Sequence, residues 1–288
     1  MSSFRILINA PYNKSHPISA LKRFISWKII RLCKLKNYKA VFWGNRIINI
    51  QYNSFHTMWL MYNYLLDWDE FNLIKNYVLD GDVVVDVGAN IGIYSLWMSK
   101  YAGTHGKVFA FEPDSSNYFQ LIENINLNNL GRYITPIQKA AGNVNGNISF
   151  TTGLDGENHI EKSNLHNVVD VPCVKLDDFF TENNIGHISY IKVDVEGFEL
   201  DVLKGSIKYI TERKIEIIQL EINQTILNSG TRIEELTDFL TKHDYELCRY
   251  CVVSNELKQV RYNEHLENYF AVFDIIKANK RLFSARKN

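Results

Sequence analysis

The sequence predicts a doubly wound α/β domain, a mostly parallel sheet covered by helices on both faces. Three observations carry this. Short apolar runs of strand type, VVVDV (83–87), KVFAFE (107–112) and YITPIQ (133–138), alternate with helical patterns near 92–101 and 115–128, the order that builds parallel strands through right-handed crossovers. The alternation resumes with HISYIKVD (187–194), a helix from about 198 to 208, IEIIQLEI (215–222) and a helix near 231–243. Hydrophobic residues at 46% and charged residues at 22% of 288 are ordinary globular usage, and no repeat or Pro/Gly/Ser tract interrupts them.

Ahead of this body, residues 17–35 read as a helix whose Ile18, Leu21, Ile25, Ile29 and Leu32 recur at three- and four-residue spacing. KAVFWGNRIINIQY then changes period and predicts a hairpin about Gly44-Asn45. A helical stretch over about 55–78 leads through Asp80-Gly81 into the first strand of the body. Between the two halves of the body, NISFTT and NVVDVPCVKL are β-like and flank a polar insertion carrying His159 and His166. YELCRYCVV and NYFAVFDII are separated by only about 15 residues without a helical pattern, so an antiparallel hairpin closes the sheet.

Charge divides the chain in the same place. Ten lysines and arginines precede the first acid, Asp67, leaving 22 basic against 32 acidic residues downstream although the net charge is zero. The expected organisation is a basic helix and hairpin extension over 1–66 and a catalytic body over 67–288. The opening MSSFRILINAPYNKSHP has no secretory pattern and no run of about 18 apolar residues occurs, so a cytoplasmic address is expected. Of the four cysteines only Cys248 and Cys251 are close in sequence, and residues three apart in a strand face opposite ways; no metal is expected.

The chemistry begins at Asp86-Val87-Gly88-Ala89-Asn90-Ile91-Gly92, which follows a buried-type strand and opens a helix. Its glycines let the backbone turn tightly beside a ligand. Glu112 ends the next strand 26 positions after Asp86, where a carboxylate accepts both hydroxyls of a ribose. The pair points to a nucleoside-containing cofactor. A dinucleotide loop would be G-x-G-x-x-G and a triphosphate loop G-x-x-x-x-G-K-[ST], and neither is present. Asp86 repels a diphosphate but suits the ammonium group of S-adenosylmethionine.

DVVVDVGANIGIYS, VFAFEPDSSNYFQLIENI and IKVDVEGFELDVLKG, in this order, resemble the FkbM-type methyltransferases over about residues 68–275. The resemblance implies a Rossmann-like fold of the class I methyltransferase type. It also implies that Asp86, Gly88, Ala89, Asn90, Gly92 and Glu112 hold S-adenosylmethionine. IQKAAGNVNGNISF resembles the family's third-strand motif and implies that Gln138 and Ala140 lie beside the adenine. Glu70 stands where a glutamate commonly precedes the first strand, implying that it helps close the cofactor site.

A second group of acids, Asp194, Glu196 and Glu199 in KVDVEGFEL, falls where a strand gives way to a helix, and Glu221 ends the following strand. Acids converging on the carboxyl edge of an open sheet are costly unless a substrate, cation or proton relieves them. Asp194 is the candidate base for methyl transfer to a hydroxyl, with Glu196 and Glu221 orienting the acceptor or helping to bind a divalent cation, for which no further ligands stand at diagnostic spacing; capping is the alternative for Asp194 and Glu196, and a solvated side chain for Glu199. His159 and His166 are secondary candidates for a base, with plain surface positions the alternative. The expected activity is O-methylation of a hydroxyl, with a sugar of a surface glycan or secondary metabolite implied by the family alone. N-methylation, or a non-catalytic membrane- or glycan-binding protein, are the competing readings. No nucleic-acid partner is expected. The basic helix either lies peripherally on a membrane or packs on the domain.

Overall fold

The computed structural model describes residues 7, 9–65, 67–151, 168–222, 232–263 and 268–285. His159 and His166 lie outside them.

The extension folds as predicted in kind. After a short helix α1 (Pro11–Ser15), Pro17 takes the first position of helix α2 (Pro17–Leu32), where its missing N–H is no loss. Strands β1 (Tyr38–Phe42) and β2 (Arg46–Ile50) pair antiparallel. The predicted 55–78 helix is two: α3 (Phe55–Asn63), with Ser54 accepting from the Thr57 N–H at its start, and α4 (Trp68–Tyr77). Tyr64, with φ of 68°, breaks them apart. The outer edge of β2 is satisfied by side chains rather than by another strand. Asn128 accepts from the Ile47 N–H at 2.8 Å and Asn124 from the Asn49 N–H at 2.9 Å.

The body follows the doubly wound pattern. β3 (Val83–Val87), α5 (Ile93–Ala102), β4 (Lys107–Phe111), α6 (Ser115–Leu127) and β5 (Ile134–Ile137) run outward from the middle of the sheet. β6 (Ala140–Ala141), β7 (Gly146–Thr151) and β8 (Val168–Val174) form a small separate sheet. After α7 (Leu176–Glu182), the chain returns through β9 (Ile188–Val193), α8 (Glu199–Gly205), α9 (Ile207–Thr211), β10 (Ile215–Glu221) and α10 (Ile233–Lys242). It ends with β11 (Glu246–Cys251), β12 (Glu256–Gln259), β13 (Asn268–Val272) and α11 (Ile275–Ala285). The main sheet has the order β12-β11-β13-β10-β9-β3-β4-β5. The five strands from β10 to β5 are parallel, and β13 enters antiparallel between β10 and β11. The predicted pairing of the last two strand segments is present, with β12 added at the edge. The final segment is shorter than expected, because the chain turns into α11 after Val272.

Two apolar clusters cover the two faces of the sheet. One contains Val85, Val87, Ile191, Val193, Ile218 and Leu220 under α7 to α10. The other contains Val84, Tyr190 and Ile217 and runs without interruption through Phe71 and Trp97 into Trp43, Ile48, Trp27 and Ile30 of the extension. The extension and the sheet therefore share one core.

That packing fixes the facing of α2, which helical spacing alone leaves open. Ala20, Trp27 and Ile30 are the buried residues of the helix, and Phe24 packs beside them. The aliphatic stripe from Ile18 to Leu32 faces outward. Arg23 belongs to neither exposed side: its guanidinium bonds Asn13 Oδ1 at 2.5 Å and lies 4.9 Å from the Tyr64 ring centroid.

Candidate active site

The chain runs outward from β3 to β4 and β5, then returns to place β9 on the other side of β3. This reversal opens a crevice at the carboxyl ends of neighbouring strands, the usual ligand site of such sheets. The loop after β3 and the loop after β9 meet there. The Asp194 N–H donates to the Val87 carbonyl at 3.0 Å. Gly88 has φ of +81°, and a Cβ built on it would stand 1.8 Å from the Asp194 carbonyl oxygen. Glycine is required on both counts. Gly92, with φ of +90°, would meet Leu121 at 2.5 Å. Asn90 also takes a left-handed conformation, φ of 51°, and its side chain accepts from the Ile91 N–H at 2.8 Å. Ala89 is buried behind the loop.

Asp86 is fully buried at the end of β3. Ser95 donates to its Oδ2 at 2.6 Å, and Oδ1 is buried without a hydrogen-bond partner among the described residues. Burial pushes this carboxyl upward, against the opposing charge of Lys192. Glu112 holds the two loops of its edge together, accepting from the Asn90 N–H at 2.8 Å and the Asp114 N–H at 2.9 Å, one on each oxygen. A carboxylate has about four acceptor positions, so two remain. Burial raises Glu112 to about 7, with the two amide bonds pulling the other way.

The remaining predicted residues are distributed around this centre. Gln138 is exposed just beyond β5 and donates to Ser115 at 2.8 Å. The Ala140 side chain packs with Val171 and Cys173 of the small sheet. Glu70 is buried in the first turn of α4 and raised to about 8 by burial and by the neighbouring Asp67 charge.

Residues that the motif reading passed over lie between the two acid groups. Asp86, Lys192 and Gln219 are side-by-side partners on β3, β9 and β10, a polar row across otherwise apolar strands. Lys192 is buried, with Nζ 2.7 Å from Asp194 Oδ2 and 4.6 Å from the Tyr94 ring centroid. Tyr190 donates to Gln219 at 2.6 Å, and Tyr94 donates to Asp67 at 2.5 Å. Parallel strands buried on both faces are nearly continuously apolar, so an inward Lys and Gln are the signal that would have found them.

Charge in the second acid group is shared unevenly. Burial pushes Asp194 up, and the Lys192 ammonium overrides this and holds it below the ordinary carboxylate value. Glu221 hydrogen-bonds Asp194 and is raised to about 9, first by the Asp194 charge and then by burial. Glu196 is half-buried with a left-handed backbone, φ of 52°, and its charge adds to that on Glu221. Glu199 is not solvated: it is 2% exposed, and its Oε1 accepts from the Val195 and Gly197 N–H groups, both at 3.2 Å. It braces the loop that presents Asp194 and Glu196. His56, half-buried in the first turn of α3, acts electrostatically on Asp194 and favours its ionised form. Among the described residues no group of three His, Cys, Asp or Glu could hold a metal ion.

The family model of the methyltransferase FkbM domain matches residues 86–247, more than half the chain, from the Asp86 loop through both acid groups. The chain belongs to the FkbM methyltransferase family. It is 26% identical over 167 residues to the hexuronic acid methyltransferase AglP of Haloferax volcanii, an alignment covering 58% of this chain and 67% of that one. It is 30% identical over 182 residues to the methyltransferase sdnD of Sordaria araneosa, covering 52% and 68% respectively. An FkbM methyltransferase crystal structure from Methylobacillus flagellatus KT aligns with a TM-score of 0.43 at 20% identity, over 67% of this chain and 44% of that one.

The domain is that of an S-adenosylmethionine-dependent methyltransferase, and the crevice fits this donor on its own chemistry. Gly88 lets the two loops that wall the crevice approach each other backbone to backbone, and Asp86 offers a buried oxygen with no partner among the described residues. Among the described residues Lys192 is the one buried lysine beside these acids, and burial raises Asp86, Glu112 and Glu221, a strain that a ligand carrying a sulfonium and an ammonium relieves.

Proposed function

We propose that the protein methylates a hydroxyl of a sugar. The observation that carries this is the Lys192–Asp194–Glu221 arrangement beside Gly88, an ionised carboxylate anchored by a lysine at the wall of the donor loop. In this reading Asp86 takes the donor's ammonium and Glu112 its ribose hydroxyls. The backbone of Gly88, Ala89, Asn90 and Gly92 lies along the donor, Gln138 and Ala140 edge the adenine, and Glu70 closes the near side. When bound, S-adenosylmethionine would supply an electrophilic methyl group, its sulfur keeping the electron pair of the broken S–C bond and leaving as a neutral thioether.

Asp194 accepts the hydrogen bond of the acceptor hydroxyl and takes its proton as the new bond to oxygen forms. Lys192 fixes the carboxylate, and the protonated Glu221 spreads its charge through their shared hydrogen bond. Glu196, held in a strained backbone conformation at the same edge, orients neighbouring sugar hydroxyls. That a relative bears the name hexuronic acid methyltransferase supports a sugar acceptor.

The test is methyl transfer to a panel of neutral hexosides and hexuronides, read by mass spectrometry as the gain of one methyl group. Asp194→Asn is expected to lower the rate by roughly 10²- to 10⁴-fold, the usual contribution of a positioned base, with donor binding retained. Transfer to amines alone, or near-normal turnover in the variant, refutes the reading.

A further inference from the structure

We propose that the outward face of α2 is a docking surface for an anionic lipid bilayer. The helix cannot roll its aliphatic stripe inward. Its other side is fixed by Ala20, Trp27 and Ile30, exposed by only 3%, 1% and 1%, and by the Arg23 bonds to Asn13 and to the Met61 carbonyl. The residues left facing solvent are Ile18, Leu21, Ile25, Ile29 and Leu32, exposed by 73%, 52%, 50%, 52% and 85%. Isolated exposed aliphatics are ordinary, whereas a contiguous row marks a contact surface. At about 1.5 Å per residue the row extends for roughly 20 Å.

What covers it follows from the charges at its borders. Lys22 and Lys28 flank the row, Arg31 stands beside its last residue, and Lys34 and Lys36 continue past its end, all exposed. No acid precedes Asp67, so the occupant must be apolar at its centre and negative around it. A second copy bound through the same face would set Lys22 and Lys28 against their own images, an arrangement that repels. An anionic bilayer satisfies both demands: its acyl boundary takes the aliphatics and its headgroups take the lysines. Among the described residues no helix is long and apolar enough to cross a membrane; the contact is of the kind in which a helix lies in the interface plane. α2 packs on α3, and His56 in the first turn of α3 acts electrostatically on Asp194. The inference does not depend on the acceptor, because lipid binding is read without substrate.

The experiment is flotation of the full chain with phosphatidylcholine vesicles, with and without phosphatidylglycerol, over a salt series. Retention is expected only on the anionic vesicles and falls as salt screens the charges. Lys22→Glu with Lys28→Glu lowers the partition coefficient by about tenfold or more, and Ile25→Asn with Ile29→Asn abolishes retention. All four positions are exposed, and an unchanged thermal melt with unchanged donor affinity shows that the variants are folded. Retention on neither vesicle, equal retention on both, or retention untouched by the variants overturns the inference. So does a dimer in sedimentation velocity that Ile25→Asn with Ile29→Asn dissolves, which would make the stripe a subunit interface.

Discussion

Lys192→Met keeps the bulk of the side chain and removes, among the described residues, the one buried lysine beside Asp86, Asp194 and Glu221. The lysine side chain is 6% exposed and the Asp194 side chain 28%, with 2.7 Å between their charged atoms. Breaking such a pair costs about 3–5 kcal/mol when the remaining charge stays unpaired. Protonation limits the loss: keeping a carboxyl of ordinary value near 4 protonated at pH 7 costs about 4 kcal/mol, at about 1.4 kcal/mol for each pH unit. The two figures agree, and for a chain of this size they predict a melting temperature lower by roughly 10 °C at neutral pH.

The pH dependence separates this from a packing defect. In the native protein Asp194 lies below its unfolded value, so its contribution is present above about pH 4 and is lost as pH falls. In the variant burial, the largest influence on Asp194, is opposed only by the Glu221 hydrogen bond and by His56, and the folded value is expected to rise above the unfolded one, so stability is lost as pH increases from about 4 toward 7. The gap between the two proteins therefore widens across that window. Thermal melts of both at a series of pH values measure it. A variant that melts within about two degrees of the native protein, or a gap that stays flat with pH, would refute the electrostatic account of Lys192.

Glu112, raised to about 7 by burial, must be ionised to accept two ribose hydroxyls. Donor affinity measured by calorimetry is expected to tighten toward tenfold per pH unit below about 7 and level off above it; in Glu112→Gln it is at least tenfold weaker and the break at that pH is absent. At the opposite end of the sheet, Glu216 is buried but bonded by His187 at 3.3 Å, Lys277 at 2.8 Å, Tyr77 at 2.9 Å and Arg281 at 3.2 Å, and these partners outweigh burial and hold it at about 2. Its contribution, roughly 3 kcal/mol, is complete above about pH 4.5 and lost as pH falls through 2; urea melts of Glu216→Gln should be weakened at pH 7 and flatter over that acid window.

The central strands were legible because buried parallel strands leave continuous apolar runs bounded by turn residues, and the donor loop because its glycines and acids sit at fixed places beside such runs. The facing of α2 was not. A helical period identifies a stripe but not which side of it is covered, and here the bulk of Trp27 and Ile30 filled the gap above the sheet in place of the longer aliphatic row. Lys192 stands within a motif whose acids carry the more specific pattern, although a lysine inside IKVDV is the irregular residue of that strand. The α11 pattern of Ile275, Ala278 and Leu282, of which Ala278 and Leu282 are buried, was readable at helical spacing but was masked by the β-like FDII before it. Glu199 shows a different limit, since its two amide bonds depend on a loop shape that sequence spacing does not encode.

The entry of β13 between β10 and β11 sets an order on biosynthesis. As the chain leaves the ribosome, β10 can dock on β9 at once, but its other edge has no lasting neighbour until residues 268–272 emerge. β11 reaches the sheet only through β13. For the interval needed to translate those intervening residues, a strand reading IEIIQLE offers a bare row of amides and carbonyls to any extended segment nearby. Holding that edge apart from other nascent chains is a task for chaperones rather than for the fold. Substitutions within 268–272 should therefore reduce the yield of folded protein more than their effect on the melting temperature implies.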